Sequence, residues 1–420
     1  MKLSILLLLS LLLFCSFEVG AVPAFARQTN NDCSACHYQH FPKLKPFGRK
    51  FKANGFSMTA QEGLKGDNLS LPPSLNAAFV MRSRYIRDSS EREGELEVPE
   101  EGAILVGGRI AEGIGGVVEW GGPLLSAKVN FTKPIAGKNN RTGMTLFTTD
   151  GLGAGYGFEL MNTGAVRNLR AFGQSAKPTL GNNDNLDLSA AATGFAFYLA
   201  STPARTGKQP AWFFAATLYT PDSNEAGMTE MDVGSPLSTY LRAAYMPRIA
   251  GMEAGFGVGI YSGKSRATLT DDGAAEYGAT AGDVFDLNTN AYFIDAQLQG
   301  KVKNRDLGVY FMYAVGDDPS TTAGEVNLYG SVTAGDSKPK GWGIDTEYSI
   351  NPELHILASL GQHDNGGAGS AKQSIGLGVY WLIAQNITMQ AMIETFDGDQ
   401  GEDANGDSVV VSSTTLEVAF

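Results

Sequence analysis

The chain has 420 residues and a formal net charge of −12, from 32 lysines and arginines against 44 aspartates and glutamates. Glycine supplies 52 residues, and only 18% of all residues are charged. Beyond the N-terminus no apolar run approaches the ~20 residues that a membrane-spanning helix needs, which excludes a helical membrane protein. The length allows two or three soluble domains or a single barrel, and the glycine-rich, weakly charged composition favours the barrel.

Residues 1–26 are predicted to be a signal peptide. Lys2 supplies the positive end, residues 5–14 form the apolar core, and residues 24–26 form a small-x-small cleavage site. Cys15 would leave with this segment. The mature chain would then begin at Arg27 and contain two cysteines.

Those two cysteines belong to the sequence Cys33-Ser34-Ala35-Cys36-His37. Two thiols three positions apart, followed directly by a histidine, are the pattern of c-type haem attachment. Each thiol would bond to one vinyl group of the porphyrin, and His37 would ligate the iron. The alternatives are a disulfide or a zinc site, although only His40 lies close enough in sequence to be a further zinc ligand.

Residues 27–73 are predicted to be a small haem-binding unit with a linker. Seven basic and two acidic residues lie between Arg27 and Lys65, which indicates either a functional basic surface or a solvated helix face. Phe47 and Phe51 are four residues apart, as in one helical turn packed on a porphyrin. Met58 is a candidate sixth ligand of the iron, and the alternative for Met58 is an ordinary apolar contact.

Residues 74–420 are predicted to be a transmembrane β-barrel of about sixteen antiparallel strands. One apolar face alternates with one largely polar face, for example over residues 292–299 and 342–349, and short connections alternate with long ones. A soluble β-sandwich is the alternative for any single strand. The chain ends on Phe420, and a terminal aromatic residue resembles the assembly signal of bacterial outer-membrane barrels. The predicted strands span residues 75–87, 102–112, 114–121, 124–135, 141–158, 190–200, 210–220, 237–247, 251–262, 288–302, 305–315, 340–350, 353–362, 372–383, 386–396 and 408–420.

The alternation also predicts which charged residues face the lumen, and most of the candidates are acidic. Attraction between opposite charges would favour docking of the basic N-terminal unit inside this barrel. Residues 88–101 and 397–407 are predicted to be acidic outer loops that either gather divalent cations or are simply solvated. The candidate lumen residues are Arg82, Arg84, Arg109, Glu119, Lys128, Arg242, Glu253, Asp295, Asp345, Glu347, Glu394 and Glu417.

Together these features resemble the fused monohaem cytochrome–porin family of bacterial outer-membrane iron oxidases. The resemblance is most specific between residues 24 and 56, and the barrel sequence alone adds little to it. The matching motifs are Ala24-Phe25-Ala26-Arg27-Gln28-Thr29, Cys33-x-x-Cys36-His37, Pro42-x-Leu44, Gly48-Arg49-x-Phe51-Lys52 and Gly55-Phe56.

The resemblance implies one covalently attached haem c, held by Cys33, Cys36 and His37, inside the barrel or on its periplasmic side. It implies an oxidoreductase that takes electrons from extracellular Fe(II) and passes them to a periplasmic c-type cytochrome or another soluble carrier. Lipid of the outer membrane would surround the barrel, and no nucleic-acid partner is expected. Two alternatives are an electron conduit for another donor or acceptor, and a diffusion porin with a haem gate.

Overall fold

The structure is a computed structural model. The predicted signal peptide lies outside the described residues except for residues 24–26. The described residues are 24–58, 64–66, 69–71, 76–91, 93–121, 124–137, 139–149, 153–163, 191–203, 209–221, 231–271, 274, 279–318, 322, 324–328, 337–364, 366–367, 369, 371–398, 401 and 405–420.

The described strands form one closed antiparallel barrel of sixteen strands, which confirms the predicted fold class. Each strand pairs with its neighbours in sequence, and β16 pairs with β1 to close the ring. The strands are β1 Ala77–Asp88, β2 Glu95–Ala111, β3 Ile114–Gly121, β4 Leu124–Pro134, β5 Asn140–Thr149, β6 Ala192–Ser201, β7 Ala211–Pro221, β8 Ser238–Met246, β9 Met252–Ser262, β10 Ala291–Val302, β11 Arg305–Gly316, β12 Lys340–Ser349, β13 Leu354–Asp364, β14 Ala371–Ala384, β15 Ile387–Asp397 and β16 Val409–Ala419.

Shorter strands lie outside the wall. Arg248–Ile249 extends the hairpin of β8 and β9, and Leu64–Gly66 pairs with Leu69–Leu71. Segments of three of the long loops form a separate four-stranded sheet beyond the barrel. Its strands are Met231–Val233, Lys264–Leu269, Val284–Asn288 and Glu325–Asn327.

The wall has one outward and one inward face, as the period of two predicts. In β7 the side chains of Trp212 and Phe214 are exposed, whereas those of Phe213 and Tyr219 are 2% and 1% exposed. A band of exposed leucine, isoleucine, valine and aromatic side chains continues around the other strands. A closed ring with an apolar outer face suits a lipid bilayer, because every wall strand finds its backbone partners within the ring. The chain therefore has the architecture of an outer-membrane barrel.

The connections differ between the two ends of the barrel. The short-turn end carries the start of β1, the end of β16 and tight turns such as Lys303-Asn304. Both turn residues have positive φ, 49° and 64°, as a two-residue turn between twisted strands requires. The opposite end, the long-loop end, carries most of the longer connections. In outer-membrane barrels the short turns face the periplasm.

Two predicted strand boundaries are wrong. The fifth strand ends at Thr149 rather than at residue 158, because residues 153–163 turn into the lumen and are largely buried there. We call residues 153–163 the inward loop. The second strand begins at Glu95 rather than at residue 102, since Glu95–Glu101 extend the hairpin with β1.

Residues 24–58 form a compact N-terminal plug with three short helices: α1 Ala24–Thr29, α2 Cys33–Cys36 and α3 Pro46–Ala53. The predicted cleavage point after Ala26 falls within α1. Pro46 opens α3 at a position where a helix does not need its N–H. None of the helices in the described part of the chain is long and apolar enough to cross a bilayer.

The plug lies inside the ring at the short-turn end. Tyr38 Oη donates to the carbonyls of Gly300 and Leu307 in β10 and β11, at 2.6 and 3.0 Å. Ala53 O accepts from Tyr198 Oη in β6, at 3.1 Å. A Cβ added to Gly115 in β3 would lie 1.9 Å from Gly55 O, so only glycine allows this approach. Contacts with strands this far apart around the ring require the plug to occupy the lumen.

We expect a charge on the outward face near mid-strand to destabilise the barrel. The side chain of Leu377 is 61% exposed at the centre of β14. Leu377→Arg would place a cation against lipid, which costs about 2–4 kcal/mol near the bilayer midplane. Urea unfolding in lipid vesicles, followed by heat-modifiable migration on gels, measures this loss. Leu377→Met is the matched control. Equal stability of the two variants would contradict the assignment of this face to lipid.

Candidate functional site

The haem-attachment motif forms one helical turn at the surface of the plug. Asp32 caps α2, because its Oδ1 accepts from Ala35 N at 3.1 Å, and His37 N donates to Cys33 O at 2.9 Å. Cys33 is exposed, Cys36 is half-buried, and both are free thiols. The turn thus presents two thiols, and His37 leaves the helix directly after the second.

The backbone carbonyls of Pro42 and Lys43 face the His37 ring. Its Nδ1 lies 3.3 Å from Lys43 O, which also accepts from Tyr38 N at 2.7 Å. Burial lowers the pKa of His37 to about 4, so the imidazole is neutral at physiological pH. A neutral ring held through one nitrogen by a carbonyl is the usual arrangement of a histidine that ligates a metal.

Helix α3 packs closely against the motif. A Cβ on Gly48 would lie 2.4 Å from Cys36 O and 3.0 Å from Leu44 Cδ2, so glycine is needed at this position. Phe47 is 38% exposed, whereas Phe51 is buried against Phe25 and Phe56. Of the two phenylalanines predicted to cover a porphyrin, Phe51 is thus part of the core of the plug.

The residues present fit a covalently bound porphyrin. The two thiols form no disulfide, the imidazole is neutral and oriented, and apolar surface lies beside them. The Phe41 ring centroid is 5.3 Å from that of His37, and Phe41 is 57% exposed. A large apolar macrocycle would cover this surface. Within the described part of the chain, no group of three or more histidine, cysteine, aspartate or glutamate side chains is placed to hold a metal ion. The zinc alternative therefore gains no support from these residues.

A buried carboxylate from the wall fixes the loop that follows the motif. Glu347 of β12 forms an ion pair with Lys43 and a hydrogen bond with His355 Nδ1 of β13, and its Oε2 lies 2.9 Å from His40 Nε2. The His40 ring also stacks on Tyr380 at 3.9 Å. The side chains of Glu347 and Lys43 are each 4% exposed. Because Lys43 also provides the carbonyl that faces His37, Glu347 acts on the orientation of that imidazole through Lys43.

A second ion pair joins the plug to the wall. Arg49 of α3 pairs with Glu253 of β9 and donates to Leu44 O at 2.9 Å. The basic plug therefore docks on acidic lumen residues, as the sequence predicts.

The inward loop lies in the lumen between the plug and the wall. Glu159 of this loop accepts from Arg242 Nε at 2.7 Å, and Arg242 Nη1 donates to Asp295 Oδ1 at 2.7 Å. The three side chains are 0–4% exposed. Leu44 N donates to Asn162 Oδ1 at 2.7 Å, so the plug and the inward loop are in direct contact.

Aromatic side chains fill the lumen nearer the long-loop end. Tyr240 and Tyr261 stack at 4.4 Å, and both lie 6.4 Å from Phe293. Tyr219 meets Tyr261 edge-on at 6.3 Å. The plug, the inward loop and this aromatic cluster thus form three layers along the barrel axis.

The structure places the other predicted lumen residues in different settings. Lys128, Asp345 and Glu394 are buried on the inner face of the wall. Arg82 pairs with Glu100 and Glu101, and Arg84 pairs with Glu97 and Glu100. Residues 95–101 of the predicted acidic outer loop are therefore strand, and three of their glutamates are paired with arginine. Residues 399–400 and 402–404 of the other acidic loop lie outside the described residues.

Met58 as sixth ligand stays a prediction. Met58 follows Gly55 by three residues, and Gly55 lies against β3 and β4. The histidine of the motif lies near the other side of the ring, because His40, three residues after His37, contacts β12 there.

Sequence reasoning missed how the site is assembled. Glu347 was predicted as one lumen residue among twelve, and neither its pairing with Lys43 nor the role of Lys43 O was predicted. Strand alternation signals which face Glu347 occupies, but which residue it meets depends on where the plug docks. The inward loop was missed because Gly-Phe-Glu-Leu-Met continues an apolar pattern that also suits a strand.

Comparison with known proteins finds likeness in structure but none in sequence. No protein-family model matches the chain, and a search of curated proteins finds no match. The anion-selective porin from Comamonas acidovorans is 11% identical, with a TM-score of 0.47 over 83% of this chain and 99% of that chain. The outer-membrane OmpT of Vibrio cholerae is 10% identical, with a TM-score of 0.43 over 86% and 100%. The outer-membrane channel DcaP of Acinetobacter baumannii is 11% identical, with a TM-score of 0.40 over 85% and 99%.

We expect the inward loop to depend on Arg242. Arg242→Met would leave Glu159 and Asp295 buried without their cation, and breaking a buried ion pair costs about 3–5 kcal/mol. The exposed Arg248, in the turn after β8, is the matched control, because surface substitutions usually change stability by about 0.5 kcal/mol or less. Urea unfolding in lipid vesicles gives the free energy of unfolding of both variants. If Arg242→Met lost no more stability than Arg248→Met, Arg242 would not be needed to hold the inward loop.

Proposed function

We propose that this chain is an outer-membrane cytochrome–porin that oxidises extracellular Fe(II) and passes each electron through one haem c to a periplasmic carrier. In this proposal it acts as an iron:cytochrome c oxidoreductase. Cys33 and Cys36 would bond to the porphyrin, and His37 would be the axial ligand of the iron.

The observation that carries the proposal is the placement of the motif. A Cys-x-x-Cys-His turn, with free thiols and an imidazole oriented by Lys43 O, lies in a plug at the short-turn end of a barrel. A haem c bound there supplies a centre that accepts and donates one electron. The short-turn end faces the periplasm in outer-membrane barrels, so the motif lies where a soluble carrier can reach it.

The residues of the chain have distinct tasks in this proposal. The thiols anchor the porphyrin, and the carbonyl of Lys43 sets the plane of the His37 ring. Glu347 and Glu253 hold the plug in the lumen through Lys43 and Arg49. The inward loop and the aromatic cluster occupy part of the lumen beyond the plug.

The layers in the lumen favour a conduit over a diffusion porin. A porin that passes solutes keeps a water-filled channel. Here the plug, the Arg242 network and the stacked tyrosines lie one above the other. A conduit for another donor or acceptor has the same architecture, so the donor itself has to be tested.

Haem attachment is tested by replacing the thiols. We expect the wild-type protein to keep haem after denaturation in detergent, and Cys33→Ala/Cys36→Ala protein to lose it, because no thioether remains. Haem staining of denaturing gels measures this. His37→Ala would retain covalent haem but show an altered ligand spectrum. Haem that stays covalently bound in the double variant would disprove the assignment.

Iron oxidation is tested on the purified protein after oxidation. Fe(II) is expected to convert the wild-type absorption spectrum to that of the reduced haem. The double cysteine variant would show no such change. Wild-type haem that stays oxidised under Fe(II), combined with free ion conductance in planar bilayers, would instead support the porin with a haem gate.

Glu347 is expected to be a positioning residue for His37. Glu347→Gln would leave Lys43 without its buried anion and loosen the carbonyl that orients the ring, and removal of a negative charge would raise the reduction potential. Glu253→Gln is the matched control, because it also breaks one plug–wall ion pair but leaves Lys43 untouched. Redox titration and ligand spectra give the readout. Identical reduction potentials and ligand spectra for the two variants would mean that Glu347 only holds the plug against the wall and does not position His37.

A further inference from the structure

The surface beside the motif is cationic although the whole chain carries a net charge of −12. Three exposed cations lie around the turn between β10 and β11: Lys301 near the end of β10, Lys303 in the turn and Arg305 at the start of β11. The Lys301 side chain is 57% exposed, and its Nζ lies 3.8 Å from Asp306 Oδ1. We call Lys301, Lys303 and Arg305 the basic turn. It carries three exposed cations.

The basic turn is fixed next to the haem-attachment motif. Tyr38, the residue after His37, donates from Oη to Gly300 O at 2.6 Å and to Leu307 O at 3.0 Å. These carbonyls flank the basic turn on both strands. Within the plug, Lys45 Nζ donates to Ser34 O at 2.7 Å, which places another cation on the motif itself. The basic turn and Lys45 therefore both lie beside the Cys33–His37 motif at the short-turn end.

The opposite end of the barrel carries exposed charges of both signs. Asp317 and Asp318, after β11, each pair with the exposed Lys338 at 3.2 Å, and Glu91 and Glu93 are exposed in the loop after β1.

We infer that the basic turn and Lys45 form the docking surface for a soluble electron carrier whose contact face is acidic. The inference rests on the proposed function and specifies its partner. Complementary charge raises association rates by about 10–10³-fold while leaving the complex short-lived, as repeated electron transfer requires. In the step itself the reduced haem loses one electron, the oxidised carrier gains it, and no atom is transferred.

The test uses two soluble c-type cytochromes of similar potential and opposite net charge. The protein is reduced with dithionite, desalted and mixed with each oxidised cytochrome at several ionic strengths. We expect the acidic cytochrome to react at least tenfold faster at low salt, with a rate that falls as salt screens the charges. Lys301→Glu/Lys303→Glu/Arg305→Glu should lower that rate at least tenfold and speed the reaction with the basic cytochrome.

The matched control is Lys133→Glu. Lys133 is an exposed cation at the same end of the barrel, at the close of β4, far around the ring from the basic turn. The Lys133→Glu variant should reduce the acidic cytochrome at a rate within twofold of the wild-type rate. A triple glutamine variant covers the case in which charge reversal prevents assembly, and heat-modifiable migration checks folding in each variant.

Binding provides a readout that does not need the haem. The acidic cytochrome should bind immobilised Cys33→Ala/Cys36→Ala protein, and the triple reversal should remove that binding. Electron-transfer rates that do not depend on the charge of the cytochrome or on salt would overturn the inference. The inference would also be overturned if the triple reversal removed binding to vesicles with anionic lipid but left the rates with the cytochromes unchanged. Because dithionite replaces Fe(II), a failure of iron oxidation would leave this result standing and would be recognised separately.

Discussion

Closure of the sheet is the constraint on which the rest of the structure depends. Lipid cannot satisfy backbone N–H and C=O groups, so a strand wall in a membrane must pair every edge. Here β16 pairs with β1, and sixteen strands enclose a lumen that side chains of the wall alone do not fill. The chain fills much of that space with its own N-terminus and with the inward loop. The enclosed space thereby becomes a set of packed layers.

Burial inside this lumen requires charged side chains to be paired. A carboxylate taken out of water is costly unless it is paired, and the pairs found here join segments that are remote in sequence. Glu347 holds Lys43 and the loop after the motif, Glu253 holds Arg49, and Arg242 joins Asp295 to Glu159. Each pair therefore fixes the position of an inserted segment. Hydrophobic contact alone, which has no direction, would leave those positions less defined.

The docked plug also places the motif at the short-turn end of the barrel, with exposed cations beside it. An acidic protein is attracted to lysine and arginine. In the proposed function, these cations would meet the carrier that accepts the electron in the periplasm.

The sequence by itself determined the local features. Alternation of apolar and polar residues placed all sixteen strands, and the Cys-x-x-Cys-His pattern defined the candidate site, because both depend on residues a few positions apart. Only the tertiary structure decided that residues 153–163 turn inward, that Phe51 packs within the plug, and that Lys43 meets Glu347. Those contacts join segments up to about 300 residues apart. They follow from the closure of the ring and the space it leaves, which no local pattern records.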